Sequence, residues 1–283
     1  MRRPAGINAP KASWRWEHFM ILLSFIGVWG IPNAHANERK FTYVYETSVL
    51  PPGAREIELW NTYRSDKGYF YRRLDQRVEY EFGVINNLMG SIYLNSSWYA
   101  QDSTGVKMNG ADMTGQAISI SSEWKYKLMD RVADLFGLAL YGEATLGLHE
   151  DELEGKILFD KQFRSILLAF NGVVEQEWET EMDNGIAQTE EELSLEFDLG
   201  ASYQATPSFS FGFEMRNHNV IKDGDIEHSA FFAGPVVSYA AENWWATFTV
   251  LPQIASLKGS TTGNLDLHEY EKVEARLLFS FHL

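Results

Sequence analysis

The sequence ends in Val273-Glu274-Ala275-Arg276-Leu277-Leu278-Phe279-Ser280-Phe281-His282-Leu283, in which apolar side chains occupy every odd position. The even positions are polar apart from Leu278. Because successive side chains of a β-strand point to opposite faces, this stretch predicts a strand with one apolar and one mostly polar face. Such a strand suits a sheet that has an apolar medium on one side and a polar space on the other.

Eleven further segments alternate in the same way, so we predict twelve strands. Their predicted bounds are Ala54–Arg64, Phe70–Gly83, Leu88–Ala100, Gly115–Leu128, Leu135–Leu148, Leu153–Lys161, Ile166–Glu179, Glu192–Gln204, Phe209–His218, His228–Tyr239, Trp244–Ile254 and Val273–Leu283. The connection after every even-numbered strand is short. Most of the others are predicted as loops rich in Gly, Asp, Ser and Thr: Gln101–Asp112, Thr180–Glu191, Asn219–Glu227 and Ala255–His268.

This pattern predicts an all-β protein, a single antiparallel transmembrane β-barrel of about 12 strands with short periplasmic turns and longer external loops. The mean hydropathy of −0.26 agrees with it, because a barrel shows lipid only every second residue. A soluble β-sandwich also alternates, but its loops would be of similar length at both ends. We therefore favour the membrane barrel.

The last strand resembles the C-terminal signature of Gram-negative outer-membrane barrels, with aromatic residues at Phe279 and Phe281 and an apolar final residue. It departs from that signature at Leu283, where the family usually has Phe. The whole chain resembles an uncharacterised proteobacterial barrel family. The resemblance implies an outer-membrane location, contact with membrane lipid and lipopolysaccharide, and delivery to the barrel-assembly machinery through the C-terminal strand.

The first 36 residues predict a cleavable signal peptide (1–36), with a basic start, an apolar stretch of about a dozen residues and the small-x-small site Ala34-His35-Ala36. The apolar stretch is shorter than the ~20 residues that a spanning helix needs. Residues 37–53 are predicted as a periplasmic N-terminal extension, which lies under the barrel or folds into its lumen. Residues 54–283 are predicted as the barrel.

Composition narrows the classes of partner and site. The leader carries four basic residues and one acid, so its removal takes the net charge from −15 to −18. An acidic chain without a basic stripe argues against nucleic acid as a partner. The absence of cysteine excludes disulfides, thiolate metal sites and a lipoprotein anchor. The oligomeric state stays open.

The inner wall of the predicted barrel is rich in charge, and acids outnumber bases. The candidate lumen residues are Glu123, Glu143, Glu175, Glu177, Glu179, Glu196, Asp198, Arg77, Arg216 and Arg276. Buried charges must be hydrated or paired, so the lumen is wet, cross-linked by ion pairs, or both. We predict a narrow channel or transport protein for small solutes, including cationic ones, through an acidic lumen. The alternatives are a structural or surface-binding barrel with a salt-bridged lumen and an outer-membrane lipid-modifying enzyme.

Catalytic and metal sites are not predicted, and no cofactor is expected. His228-Ser229 is the one adjacent His–Ser pair of the mature chain, and neighbours on a strand face opposite sides. His218 and His228 flank the acidic loop Asn219–Glu227, which offers ligands for a divalent metal. Solvated loop charge is the interpretation we favour there.

Overall fold

The computed structural model describes residues 38–108, 110–148, 150–183, 186–259 and 263–283. The predicted signal peptide lies outside the described residues. Twelve antiparallel strands are formed: β1 (Arg55–Ser65), β2 (Tyr71–Ile85), β3 (Leu88–Gln101), β4 (Met113–Met129), β5 (Gly137–Gly147), β6 (Glu150–Phe163), β7 (Ile166–Asp183), β8 (Ile186–Thr206), β9 (Phe209–Lys222), β10 (Asp225–Ala240), β11 (Trp244–Lys258) and β12 (Val273–His282). No helix among the described residues is long and apolar enough to span a bilayer.

The strands form one closed barrel in chain order, in which β12 pairs with β1. Ile57 lies opposite Phe281 and Trp60 lies opposite Leu278 across this closure. The alternation predicted for the last strand is confirmed, because Leu277 is 41% exposed on the outer face while Leu278 is fully buried on the inner face. The predicted twelve-stranded all-β barrel is therefore confirmed.

The outer face is apolar along its middle. Leu94, Ile120 and Val78 are each more than half exposed, as are many aliphatic side chains of the same parity on the other strands. The inner face is polar, and its glutamates are among the most buried side chains of the protein. This inversion of the usual distribution fits a lipid-facing exterior around a polar lumen.

Two predicted external loops are wrong, because the strands continue through them. β7 and β8 extend to Asp183 and from Ile186, and β9 and β10 are joined only by Asp223-Gly224. Both turn residues have positive φ, 54° and 85°, as the tight type I′ hairpin turn requires. Most positions in these strand ends are polar, and Val220 and Ile221 are adjacent apolar residues, so alternation of hydrophobicity does not mark the strand ends. The predicted loop Gln101–Asp112 is confirmed apart from Gln101, which ends β3. The loop predicted at Ala255–His268 begins and ends later along the chain, because β11 extends to Lys258 and β12 starts at Val273.

Residues 38–50 run inside the barrel, and we call this segment the plug. Phe41, Thr42 and Val44 have no exposed surface. The plug contacts inward-facing side chains of β6, β7, β9, β10 and β11, which are five of the twelve strands. Of the two positions that the sequence left open for the N-terminal extension, the structure shows the lumen. The plug fills the half of the lumen at the short-turn, periplasmic end.

Candidate functional site

The plug is held first by Glu214, a fully buried inward-facing residue in the middle of β9. Its Oε1 accepts hydrogen bonds from the backbone N–H groups of Thr42, Tyr43 and Val44 at 2.9, 2.8 and 3.0 Å. Three consecutive N–H groups that converge on one carboxylate form an anion-binding nest. The hydroxyl of Thr249 on β11 donates to the other carboxylate oxygen. Glu214 thus replaces the backbone partners that the plug would have in a sheet.

Two further wall residues act in the same way. Asn171 on β7 accepts from the Tyr45 N–H at 2.6 Å and donates to the Tyr45 carbonyl at 2.9 Å. Asp160 on β6 accepts from the N–H and the hydroxyl of Thr47 at 3.0 and 2.6 Å. Buried backbone groups must find partners, so polar side chains placed at the right depth of the wall determine where the plug lies.

Two wall glycines leave room for the plug. A Cβ atom on Gly200 would lie 2.7 Å from the ring of Phe41. On Gly137 it would lie 2.4 Å from the hydroxyl of Thr47 and 2.0 Å from Asp160. Both distances are below van der Waals contact, so the barrel wall is shaped to receive this segment.

Basic side chains of the barrel wall stack on Tyr43 and Tyr45, the two tyrosines of the plug. The guanidinium groups of Arg276 and Arg216 lie 3.7 and 4.3 Å from the centroid of the Tyr43 ring. The Tyr45 ring is contacted by Lys156 at 4.3 Å and by Arg39 of the plug at 4.1 Å. These cation–π contacts form a basic and aromatic layer across the middle of the lumen.

Ion pairs neutralise this layer. Arg216 binds Glu196 with two hydrogen bonds of 2.9 and 2.7 Å and reaches Glu274 on β12 at 2.7 Å. Its Nε lies 3.8 Å from Asp198. Bidentate, buried arginine–carboxylate pairs are strong and geometrically specific. Of the predicted lumen residues, Arg216, Glu196 and Asp198 therefore belong to one network, which joins β8, β9 and β12.

A second network lies on the opposite wall. Arg77 lies 3.7 Å from Glu143 and stacks 3.8 Å from the Tyr93 ring. The hydroxyl of Tyr141 lies within hydrogen-bond distance of both Glu143 and Glu123. The predicted lumen residues on β2, β4 and β5 are thus also brought together.

A further set of inward-facing glutamates lies toward the external end of the barrel, on β6, β7 and β8. We call this set the acid ladder. It comprises Glu150, Glu152, Glu154, Glu175, Glu177, Glu179, Glu190 and Glu192. Strand register places them in rungs, with Glu152 opposite Glu177 and Glu177 opposite Glu192. Directly opposed side chains of neighbouring strands lie about 5 Å apart at Cβ, so like charges there destabilise the sheet.

The acid ladder differs from the two networks around Arg216 and Arg77 in how its carboxylates are paired with bases. Lys156 lies 2.9 Å from Glu154, at the inner end of the ladder. Among the residues that the structure describes, no basic side chain forms an ion pair with Glu152, Glu175, Glu177 or Glu192. These carboxylates are half-buried to exposed. They have access to water, and their charge is not compensated by the wall.

Five of the eight ladder residues are not among the candidate lumen residues. Glu150 and Glu152 fall between the predicted strands Leu135–Leu148 and Leu153–Lys161, and Glu190 lies in the predicted loop Thr180–Glu191. Glu154 and Glu192 lie in predicted strands but are not among the candidates. The available signal was the recurrence of acids at alternate positions in three successive segments of the chain. Antiparallel pairing of those segments brings the acids side by side.

The loop between β11 and β12 folds inward over the external end, and residues 263–272 form what we call the capping loop. Asp266 is fully buried, and its carboxylate accepts a hydrogen bond from His228 Nδ1 at 2.7 Å, while the Tyr270 hydroxyl donates to the His218 carbonyl at 3.3 Å. Burial, with the charges of Glu269 and Glu192, raises the pKa of Tyr270. The capping loop narrows the lumen along β9, β10 and β11.

The two histidines do not share a site with the acidic loop of the predicted metal alternative. His228 pairs with Asp266 of the capping loop, whereas His218 lies beside Ser194 and Glu196 of β8. Pairing of β8 with β9 brings Ser194 Oγ within 3.3 Å of His218 Nε2, although 24 residues separate them in the sequence. However, His218 Nδ1 lies 3.7 Å from Glu196, beyond hydrogen-bond distance, and Glu196 is already bound by Arg216. The arrangement lacks the oriented base that a nucleophilic serine needs.

At the periplasmic end, a cavity of about 280 Å³ lies between the plug and the wall. Its lining includes Lys40 and Ser48 of the plug, Arg131 of the β4–β5 turn and Ser202 of β8. Arg131 also pairs with Glu46 and lies 3.4 Å from Asp160. The plug therefore does not fill the mouth completely, and water reaches its lower surface.

Solved structures of outer-membrane barrels share this fold. The COG4313 outer membrane channel from Pseudomonas putida F1 is similar at 11% identity with a TM-score of 0.57, covering 84% of this chain and 98% of that chain. The translocator domain of the autotransporter NalP from Neisseria meningitidis is similar at 13% identity and a TM-score of 0.53, covering 84% and 91%. The NanC porin is similar at 11% identity with a TM-score of 0.51, covering 80% of this chain and 100% of that chain. At these identities the likeness shows the fold alone.

The family to which the chain belongs is set by its sequence. No curated protein matches it. A family model described as "Family of unknown function (DUF6662)" matches residues 33–283, which include the plug and the whole barrel. The chain is a member of this family of unknown function, and its fold is that of a twelve-stranded outer-membrane barrel.

Proposed function

We propose that the protein is a narrow outer-membrane channel for small cationic solutes, closed at rest by its own N-terminal plug. The observation that carries the proposal is the acid ladder, a wall of carboxylates that faces the lumen and in which Glu152, Glu175, Glu177 and Glu192 form no ion pair with the described residues. Rings and walls of Asp and Glu favour cations in a pore. A low-dielectric barrel wall also focuses their field on the lumen.

Displacement of the plug extends the acidic path. Glu214 and Asp160 now accept hydrogen bonds from the plug backbone. Once the plug has left, these carboxylates face the lumen on the periplasmic side of the basic layer, so acids line the path at both ends. Two of the similar structures are an outer membrane channel and a porin, which supports a channel over an enzyme.

The location follows from the same argument. We propose export through the predicted signal peptide and insertion by the barrel-assembly machinery, which would recognise β12, the strand that closes the barrel. The apolar belt of the outer face would contact lipid and, at the external end, lipopolysaccharide.

Ion selectivity tests the proposal. In a planar bilayer with a KCl gradient, a chain that starts after the plug should show a reversal potential that favours cations. Replacing Glu152 and Glu192 by Gln should move that potential toward zero, because both side chains face the lumen at one rung. The matched control replaces Asp151 and Glu191, their chain neighbours on the outer face of the same strands, and should leave selectivity unchanged.

A closed structural barrel is the second candidate, favoured by the plug and the capping loop, which occupy the two halves of the lumen. A closed structural barrel predicts no conductance steps from the mature chain or from the chain that starts after the plug, although both chains are folded barrels by heat-modifiable gel mobility. Equal loss of selectivity in the inner-face and outer-face variants would contradict the role of the ladder.

A further inference from the structure

Five glutamates cluster on the inner wall near the periplasmic end, and we call them the carboxylate cluster. They are Glu56 and Glu58 on β1, Glu79 and Glu81 on β2, and Glu123 on β4. Strand register places Glu56 opposite Glu81 and Glu58 opposite Glu79. None of the five is more than 4% exposed. The cluster is separate from the acid ladder, which lies at the external end of other strands.

The charge of the cluster is only partly compensated. Glu58 Oε1, Glu79 Oε2 and Glu81 Oε2 are buried without a hydrogen-bond partner among the described residues. His282 lies 4.0 Å from Glu56, and no ion pair from the described part of the chain reaches the other four glutamates. Unpaired buried carboxylates are too costly to persist as bare anions.

The nearest bases do not bind these oxygens. Arg39 is within electrostatic reach of Glu58, Glu81 and Glu123, but its guanidinium stacks on Tyr45 and on Trp60 at 4.1 and 4.6 Å. Lys125 is buried beside Glu123 on β4 without an ion pair. Arg77 is also within electrostatic reach of Glu79 and Glu123, but its guanidinium lies beside Glu143. Five acids therefore face these three bases and His282.

An independent observation points to a missing ligand. Ser91 on β3 lies between Glu81 and Glu123 in the strand register and shares their inward face. Ser91 is 1% exposed, and its hydroxyl, which lies near the Glu79 carboxylate, forms no hydrogen bond of 3.5 Å or less with the described residues. A buried polar group that neighbours the cluster and remains unsatisfied indicates that something else occupies the space.

The distances suit a cation. In each of two triplets, Glu56–Glu58–Glu81 and Glu79–Glu81–Glu123, one oxygen per carboxylate lies within 4.8 Å of the others. Two oxygens on opposite sides of a Ca²⁺ ion, each about 2.4 Å away, are separated by about this distance. The ligands are all hard oxygens without His or Cys, which favours Ca²⁺ over Zn²⁺. Glu81 belongs to both triplets.

We propose that the carboxylate cluster binds a divalent cation, with Ca²⁺ as the best fit, and that Glu81 is the shared ligand. The cation enters from the periplasmic mouth and ties β1, β2 and β4 together beside Arg39 of the plug. This proposal does not depend on conduction, because it concerns a wall site that exists whether or not solutes pass.

Calcium titration of the refolded mature chain tests it. Isothermal titration with CaCl₂ should show saturable binding at pH 7, and TbCl₃ should give luminescence sensitised by Trp60, whose Nε1 donates to Glu58 at 2.8 Å. Added Ca²⁺ should displace the Tb³⁺ signal. Glu81→Gln should weaken Ca²⁺ binding about tenfold or more, because it removes a charged ligand from both triplets.

The control variant is Glu154→Gln, which alters the acid ladder instead. Its group, Glu152, Glu154 and Glu175, also has oxygens within 4.8 Å, but these residues are less buried. If Glu81→Gln does not fold, Glu123→Gln and Glu56→Gln each remove one triplet and should each weaken binding. Absence of saturable Ca²⁺ binding to the folded chain, or its loss in Glu154→Gln but not in the cluster variants, would overturn the proposal.

Discussion

Glu214 binds three consecutive N–H groups of the plug, although 170 residues separate it from Val44. Its side chain is fully buried, so each of these bonds forms away from water. Leaving a buried donor without a partner costs about 1–3 kcal/mol. A single residue of β9 therefore contributes a large share of the free energy that keeps the plug in the lumen.

The first prediction concerns this residue. Glu214→Ala should release the plug, since three donors lose their acceptor at once. The chain has no cysteine, so Val44→Cys provides a unique reporter at a fully buried position. A water-soluble maleimide should label the reporter at least about tenfold faster in Glu214→Ala than in the parent, as expected when more than ~1.4 kcal/mol is lost.

Glu190→Ala serves as the control, because this exposed acid lies at the external rim and does not contact the plug. It should leave the labelling rate unchanged. Equal rates in the parent and in Glu214→Ala would show that the carboxylate does not hold the plug.

At the scale of elements, the plug is a strand-like segment whose partners are side chains rather than a neighbouring strand. Phe41, Tyr43 and Tyr45 alternate as in a strand, which the sequence shows, but the wall residues that receive the segment carry no pattern that connects them with it. The β7–β8 hairpin illustrates a different limit. The part of this hairpin nearest its turn is mostly polar on both faces. Hydrophobic alternation therefore predicts β7 as far as Glu179 but not the residues between Glu179 and the turn.

A separable plug should also act in trans. A synthetic peptide of residues 37–50, added to the periplasmic side of a barrel that lacks this segment, should block its conductance. A tethered segment has an effective concentration of the order of millimolar, so we expect block only at high peptide concentration. A scrambled peptide of the same composition should not block, and block by both peptides would indicate a nonspecific effect.

At the scale of the whole molecule, charge is arranged in layers along the lumen. Uncompensated acids lie at the external end, paired bases and aromatic side chains cross the middle, and the plug with the carboxylate cluster occupies the periplasmic end. The inward position of Glu123, Glu143 and Arg216 follows from strand parity and was predictable. Their pairing was not, because Arg216 meets Glu274 across 58 residues of chain and through the curvature of the closed barrel.

This layering combines the two interpretations of the lumen that the sequence left open, a hydrated cation path and a closed lumen cross-linked by ion pairs. The middle of the lumen is cross-linked by ion pairs, as a closed barrel requires, whereas the ladder remains charged and wet, as a cation path requires. Which property governs function depends on whether the plug leaves. Bulk composition, which reports only that acids exceed bases, does not distinguish these layers.

Single-channel conductance of the mature chain, compared with the chain that lacks residues 38–50, tests the central claim most directly. We predict rare or no steps from the mature chain and frequent steps from the shortened one, both folded by heat-modifiable mobility. Gly200→Leu in the full chain places a Cβ atom 2.7 Å from Phe41 and should behave like the shortened chain. Gly142→Leu, where the added Cβ meets no atom within 4 Å, should behave like the parent. Equal conductance of the mature and shortened chains would contradict a barrel closed by its own plug.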